Sequence, residues 1–324
     1  MAEGARIRIK VMGSMFGGFS APTCTSRHEF IYDASCDDYD WFVVFDELPV
    51  VSAELRCPAE NTILCTWEPV SIKSYSKAYT RQFGHLLTNR PPEAERHPHY
   101  HLGRGYFPWF VREVPRTGSA VDKPHLISTV CSAKQMKHTQ HYARYQLVAT
   151  LAKEIDGFDW FGFGVKPLEK KYEALDAYKY HVTVENHVAP HHWTEKFADA
   201  ILCECLPFYA GDPAIGEIFP ADCCIPISMD DPAAAAKIVR ESIANDEYEK
   251  RRPAILEAKR LMLEKYNFAD QVIAIVAEAE RAGTVGTVRE PDARIYARKT
   301  LRLHSLAALM EDAGEHLRRF FRRG

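Results

Sequence analysis

The residues best able to do chemistry in this chain fall between positions 178 and 213, YKYHVTVENHVAPHHWTEKFADAILCECLPFYAGDP. A short apolar run leads into Glu185 and Asn186, a loop of residues 187–193 follows, and Thr194 stands where a helix N-cap belongs. Glu195 and Lys196 then open the helix. Free backbone N–H groups and the positive end of a helix macrodipole suit a phosphate at such a place. Lys196 adds a full positive charge there, and Glu195 offers acceptors for ribose hydroxyls. The combination fits a nucleoside-diphosphate site. Capping alone also accounts for Thr194, and Lys196 reads equally as a solvated surface charge. His191 and His192, in the loop, are placed to contact a nucleotide.

Other patterns carry less. Asp38-Tyr39-Asp40 has the D-x-D form of metal-dependent sugar transferases, yet it precedes an apolar run where such a motif should end one. His97, His99 and His101 alternate as metal ligands can, but they lie among prolines and glycines with no acidic or cysteine partner at diagnostic spacing. No metal site is expected. Tyr106, Phe107 and Trp109 offer flat rings of the kind that stack on sugars. Residues 13–18 (GSMFGG) lack the G-x-G-x-x-G arrangement of a dinucleotide site and leave room for close backbone approach to a substrate.

The elements that must position these residues are legible as runs. Residues 6–12 (RIRIKVM), 41–45 (WFVVF), 62–67 (TILCTW) and 83–88 (FGHLLT) read as strands, the continuous ones as parallel strands buried on both faces. Residues 91–124 are rich in proline and glycine, so regular structure is not expected to persist there. Beyond it, strands at 126–132, 160–164, 179–184, 206–210 and 224–228 alternate with helices at 141–155, 194–203 and 232–244. That alternation predicts a second Rossmann-like sheet. Residues 246–282 read as helical and highly charged. The domains are placed at 1–120 and 121–282, followed by a C-terminal helical tail at 283–324.

A length of 324 residues, 46% of them hydrophobic, suits two domains. The net charge of −3 excludes a globally basic nucleic-acid binder, and the composition excludes disorder of the whole. No apolar run approaches the ~20 residues of a membrane span, and residues 2–10 lack the apolar block of a signal peptide. Nine cysteines at irregular positions, with no CxxC pair, predict reduced, buried thiols. A soluble cytoplasmic protein is expected. Residues 294–324 carry eight basic side chains against three acids, with leucines on one side. Such a tail can lie on an anionic membrane surface, or dock on the protein by its leucines.

The order E-N, a short loop, T-E-K, an apolar helix and the small-residue strand end LPFYAGDP resembles the donor-binding core of glycosyltransferase family 10, the α1,3/1,4-fucosyltransferases. The likeness covers about a third of the chain well and extends weakly upstream through Cys131-Ser132 and Arg144. It implies an α/β fold of the GT-B-like kind, two Rossmann-like domains facing across a cleft. It also implies a nucleotide-sugar donor, a glycan acceptor and inversion at the anomeric carbon.

Carried over, the resemblance gives Arg144 and Lys196 the diphosphate, a use of fixed cations that requires no cofactor. It gives Glu195 the ribose and sets Glu185 and Asn186 near the sugar or diphosphate. The base that takes the acceptor's proton is then Glu68, which follows the run 63–67 and precedes Pro69 in TWEPVS; a strand-end glutamate opening the next helix is the plainer reading. The sequence departs from the family at Val184, His187 and His192, where the pattern has an aromatic, a serine and a tyrosine; Trp193 supplies an aromatic one position later. GDP-fucose is the donor the resemblance implies. Because the departures touch the donor pocket, a transferase of another nucleotide sugar stands as a rival, as does a catalytically silent glycan- or nucleotide-binding protein on the same fold. The expected location is the cytoplasm, with peripheral contact of residues 294–324 at the inner membrane face as the alternative to their docking on the protein.

Overall fold

The computed structural model describes residues 6–13, 27–66, 68–70, 72–104, 122–135, 140–306 and 308–311. The chain divides into two compact units, Met1–Arg104 with Phe268–Gly324, and Gly105–Asn267.

The first unit opens with β1 (Ile7–Gly13), β2 (His28–Ile31), β3 (Trp41–Phe45), β4 (Ser52–Glu54), β5 (Thr62–Cys65), a short helix α1 (Lys77–Thr80), β6 (His85–Thr88) and β7 (Tyr100–Leu102). Six strands form one parallel sheet in the order β2-β1-β3-β5-β6-β7. Strand β3 lies between β1 and β5, and all five of its side chains are buried, as its unbroken apolar run requires. Strand β7 arises within the proline-rich stretch where no regular structure was expected; it adds only three residues to the sheet edge.

The second unit contains β8 (His125–Val130), α2 (His141–Glu154), β9 (Phe158–Phe161), β10 (Tyr178–Val184), α3 (Glu195–Leu202), β11 (Leu206–Ala210), β12 (Ile225–Pro226), α4 (Pro232–Ala244) and α5 (Glu247–Glu264). Its parallel sheet runs β12-β11-β10-β8-β9. Ile127, Leu147, Leu151, Val182, Phe197 and Phe208 are among its core residues. Strand β9 ends earlier than residue 164 because Gly162 adopts φ +131°, and a Cβ there would stand 2.5 Å from the Cys131 carbonyl oxygen. Helix α4 starts where Asp231 accepts the Ala234 N–H (2.9 Å) and Pro232 takes the first turn.

Both sheets share a doubly wound order in which the chain reverses between the first strand and the next but one, β1 and β3 in one unit, β8 and β10 in the other. Ligands of such sheets bind outside the carboxyl ends of the strands at that reversal.

The chain then returns. Residues 246–282 are two helices, not one stretch: α5 closes the second unit, and α6 (Phe268–Ala282) belongs to the first. Phe268 packs against Phe45 (5.6 Å between ring centroids) and Phe30 (6.5 Å), and Arg27 pairs with Glu280 at 3.0 Å. The sequence-based domain limits therefore shift, because the apolar side of α6 covers the first sheet. Beyond it, β13 (Arg294–Tyr296) pairs antiparallel with β4, and α7 (Arg298–Leu301) follows. Ile295 and Leu301 are buried in the core of the first unit, whereas Leu303, Leu306 and Met310 are exposed. The start of the tail is thus a docked strand and one helical turn, not a continuous amphipathic helix. The arginines at 318, 319, 322 and 323, the rings at 106, 107 and 109, and positions 14–18 lie outside the described residues.

Eight described cysteines are free, and seven of them are buried. Among the described residues no helix is long and apolar enough to cross a membrane.

Candidate functional site

The second unit gathers the predicted donor residues at the strand ends flanking its reversal. Strand β8 runs into Cys131, β10 runs into Glu185 and Asn186, and Arg144 reaches between them from α2. The Arg144 guanidinium donates through Nη1 to Asn186 Oδ1 and through Nη2 to Cys131 Sγ (3.7 Å). It is buried, and its Nε has no hydrogen-bond partner among the described residues. A buried orphan donor on a guanidinium suits an anionic oxygen acceptor. Asn186 is exposed at the strand end.

A denser network lies beneath. Glu185 is 0% exposed, with Oε1 accepting the Thr194 N–H (3.0 Å) and Oε2 the Thr194 hydroxyl (2.7 Å). Both oxygens are thus engaged by Thr194. Thr194 has extended backbone and caps α3 as predicted, its hydroxyl accepting the Lys196 N–H (3.3 Å). Lys196 Nζ lies 2.8 Å from Glu195 Oε1 and 3.5 Å from Glu185 Oε2.

One cation between two buried carboxylates splits their titration. Burial raises the Glu185 carboxyl, Lys196 opposing and Glu195 reinforcing the rise. Burial also acts to raise Glu195, but Lys196 and Lys171 outweigh it and hold that carboxyl below its ordinary value. Burial would lower Lys196, yet Glu185 and Glu195 raise it. Glu195 and Lys196 are thereby held ionised. Lys171, which also pairs with buried Asp199, was invisible in the sequence because it opens a single 3-10 turn (Lys171–Ala174) ahead of β10, too short to show a period.

The loop over this network is held from β11. Asp212 Oδ1 accepts the N–H groups of His191 (2.9 Å) and Ala214 (2.8 Å), which fixes His191 at φ 62°. Gly211 makes the turn possible: a Cβ there would come within 2.3 Å of the Tyr209 ring, whose hydroxyl accepts the Asp212 N–H (3.0 Å). His192 is buried, its ring edge-on to His187 at 5.3 Å. Trp193 is a core residue, packed on Phe219 (5.4 Å) and Phe197 (6.1 Å), and does not supply a pocket aromatic.

Glu68 belongs to the first unit, three residues beyond β5 at the carboxyl end of its sheet, and is half-buried. Arg90 donates to its backbone carbonyl. Asp38 and Asp40 lie at the opposite strand ends, where Asp40 accepts the Arg8 N–H (2.8 Å) and Asp38 pairs with the Arg8 guanidinium. They brace β1. Of the histidines, His101 meets His85, with Nε2 and Nδ1 3.1 Å apart, and His97 Nε2 lies 3.1 Å from the Phe83 carbonyl oxygen. Among the described residues no three His, Cys, Asp or Glu side chains converge as metal ligands.

No protein-family profile matches the chain, and no curated protein does. Solved structures do. A crystal structure of an alpha1,3-fucosyltransferase with GDP-fucose is 15% identical over 90% of this chain and 94% of that one, with a TM-score of 0.53. Another, of an alpha1,3-fucosyltransferase with GDP, is 14% identical over 88% and 94%, at 0.51. At such identities the likeness shows the fold, which is the GT-B glycosyltransferase fold built from two Rossmann-like domains.

Proposed function

We propose that this protein is an inverting glycosyltransferase that moves L-fucose from GDP-fucose to a glycan hydroxyl. The observation that carries the reading is the convergence of Arg144, Asn186, Glu195 and Lys196 at the strand ends flanking the sheet reversal of the second unit, with a buried orphan donor on Arg144. Arg144 and Lys196 hold the diphosphate and offset the charge that grows on it as the sugar leaves. Glu195 accepts from the ribose hydroxyls, Asn186 lies beside the donor, and His192 lines the nucleotide loop. The acceptor oxygen attacks the anomeric carbon from the side opposite the diphosphate. A new C–O bond forms as the old one breaks, and Glu68 takes the hydroxyl proton. The enzyme works in the cytoplasm, with the basic end of the chain resting on the anionic inner membrane face.

Titration of the purified protein with GDP, UDP, CDP and GDP-fucose, by calorimetry and thermal shift, tests this. Selective stabilisation by GDP and GDP-fucose is expected, since a ligand of the native state alone raises its stability. A response to UDP or CDP alone would move the reading to another nucleotide sugar, which the histidines at 187 and 192 favour as the second choice. No response to any of the four would leave a silent fold.

A further inference from the structure

Arg90 follows β6 and is 4% exposed. Its guanidinium is aimed not at solvent or a groove but at one loop. Nε and Nη2 both donate to the Glu68 carbonyl oxygen, at 3.1 and 2.7 Å, and Nη2 also donates to the Lys73 carbonyl oxygen. Nη1 donates to the buried Glu95 carboxylate, which balances the charge. The guanidinium plane sits 4.4 Å from the centre of the Tyr75 ring. The arginine is itself anchored, its N–H on Thr88 Oγ1 (3.2 Å) and its carbonyl accepting from the Tyr100 hydroxyl (2.6 Å).

Both ends of the segment from Glu68 to Lys73 are therefore gripped by one side chain. The far end is also tied to the end of β3, where Lys73 Nζ lies 2.8 Å from Asp46 Oδ2 and 2.9 Å from Glu47 Oε2. A buried guanidinium with one balancing carboxylate and its other donors on carbonyls is not offered to a ligand; it fixes backbone. The planar fork of arginine spreads its donors over three nitrogens in fixed directions, so two carbonyls and a carboxylate are held in one set geometry that the single ammonium nitrogen of a lysine does not reproduce.

We infer that Arg90 is a positioning residue for the proton transfer, a clasp that sets Glu68 at the carboxyl edge of the first sheet. The inference rests on the proposed role of Glu68 as the base. A base displaced by ~1 Å loses about 100-fold in rate.

The test is a double-mutant cycle of Arg90→Lys and Glu68→Gln, followed by GDP release from GDP-fucose with water as the acceptor whose proton Glu68 takes, under single-turnover and steady-state conditions, with melting temperatures alongside. Arg90→Lys is expected to lower kcat by about 10- to 100-fold and to leave the donor KM within about twofold. In the Glu68→Gln background it should cause no further loss. An equal loss in both backgrounds would make Arg90 a purely structural residue, and wild-type turnover in Arg90→Lys would also overturn the clasp. If Arg90→Lys does not fold, Glu95→Gln, which keeps the fork and removes its counter-charge, enters the same cycle with the same criterion. Failure of the underlying reading has another signature: the wild-type protein releases no GDP, or Glu68→Gln releases it at the wild-type rate.

Discussion

Glu185 takes both hydrogen bonds that Thr194 can donate, from its N–H at 3.0 Å and its hydroxyl at 2.7 Å. The end of β10 is thereby stapled to the cap of α3. The same hydroxyl accepts from the Lys196 N–H (3.3 Å) and Nζ (3.2 Å), so one threonine joins a strand end, a helix start and the site's cation. Glu185→Gln keeps the shape but turns one acceptor into a donor facing a donor. It should cost about 1–3 kcal/mol in urea unfolding. The folded Glu185 carboxyl lies above its ordinary 4.5, so its titration favours the fold below that value and loses ground as pH rises through the folded value. The gap between wild type and variant should accordingly narrow from pH 4.5 upward; a gap that widens would contradict the assigned direction.

Removing the cation is a sharper test of the site. Lys196→Ala should weaken GDP binding by about 10- to 100-fold in calorimetry, the worth of one charge-assisted bond. It also leaves Glu185 and Glu195 without their shared partner, so the melting temperature should fall as well. Unaltered GDP affinity would take Lys196 out of the diphosphate site.

Glu68→Gln should separate chemistry from binding. Loss of a general base costs about 100- to 10,000-fold in turnover, while GDP affinity should remain within about twofold. A variant that still transfers sugar at the wild-type rate would send the search for the base elsewhere.

Two buried histidines predict how the fold fails in acid. Burial, with Lys171 and Lys123 nearby, pulls His181 from 6.5 down to about 3. Burial and the neighbouring His101, His99 and His97 pull His85 to about 4. The unfolded chain binds these protons first, so stability is present above pH 6.5 and drains away as pH falls from there towards the folded values. Each group steepens the slope by up to about 1.4 kcal/mol per pH unit. His181→Asn should flatten chemical-denaturation midpoints between pH 6.5 and 4 relative to wild type, and an unchanged slope would count against a neutral His181.

The tail separates into two experiments. A cut before Arg294 removes β13 and the buried Ile295 and Leu301, and should lower the melting temperature by several degrees. A cut after Glu311 leaves that docking intact while removing four of the arginines, and should weaken co-sedimentation with anionic vesicles without altering the melt. Equal vesicle binding by the shortened and full chains would argue against the membrane contact.

What could be read in advance depended on whether a residue's partners were local. The run WFVVF announced a central strand because burial on both faces leaves no alternation, and Thr194 announced a cap because its partner is two residues away. Arg144 came into view only through a family likeness. The burial of Glu185 was hidden, since a strand end does not reveal which way its last side chain turns. Arg90 gave no signal at all: its principal partners are carbonyls 22 and 17 residues back, and any residue type can present a carbonyl. Strand β7 was lost for a related reason, three residues among prolines being too few to show a period.

The return of the chain to its first unit sets an order of events on the ribosome. The second unit is continuous in sequence, from Gly105 to Asn267, and has its complete set of strands once that stretch has emerged. The first unit emerges earlier yet lacks α6 and the partner of β4 until residues 268–296 are out. The first unit is thus completed after the second, and until then Phe30 and Phe45 lack the cover that Phe268 gives them.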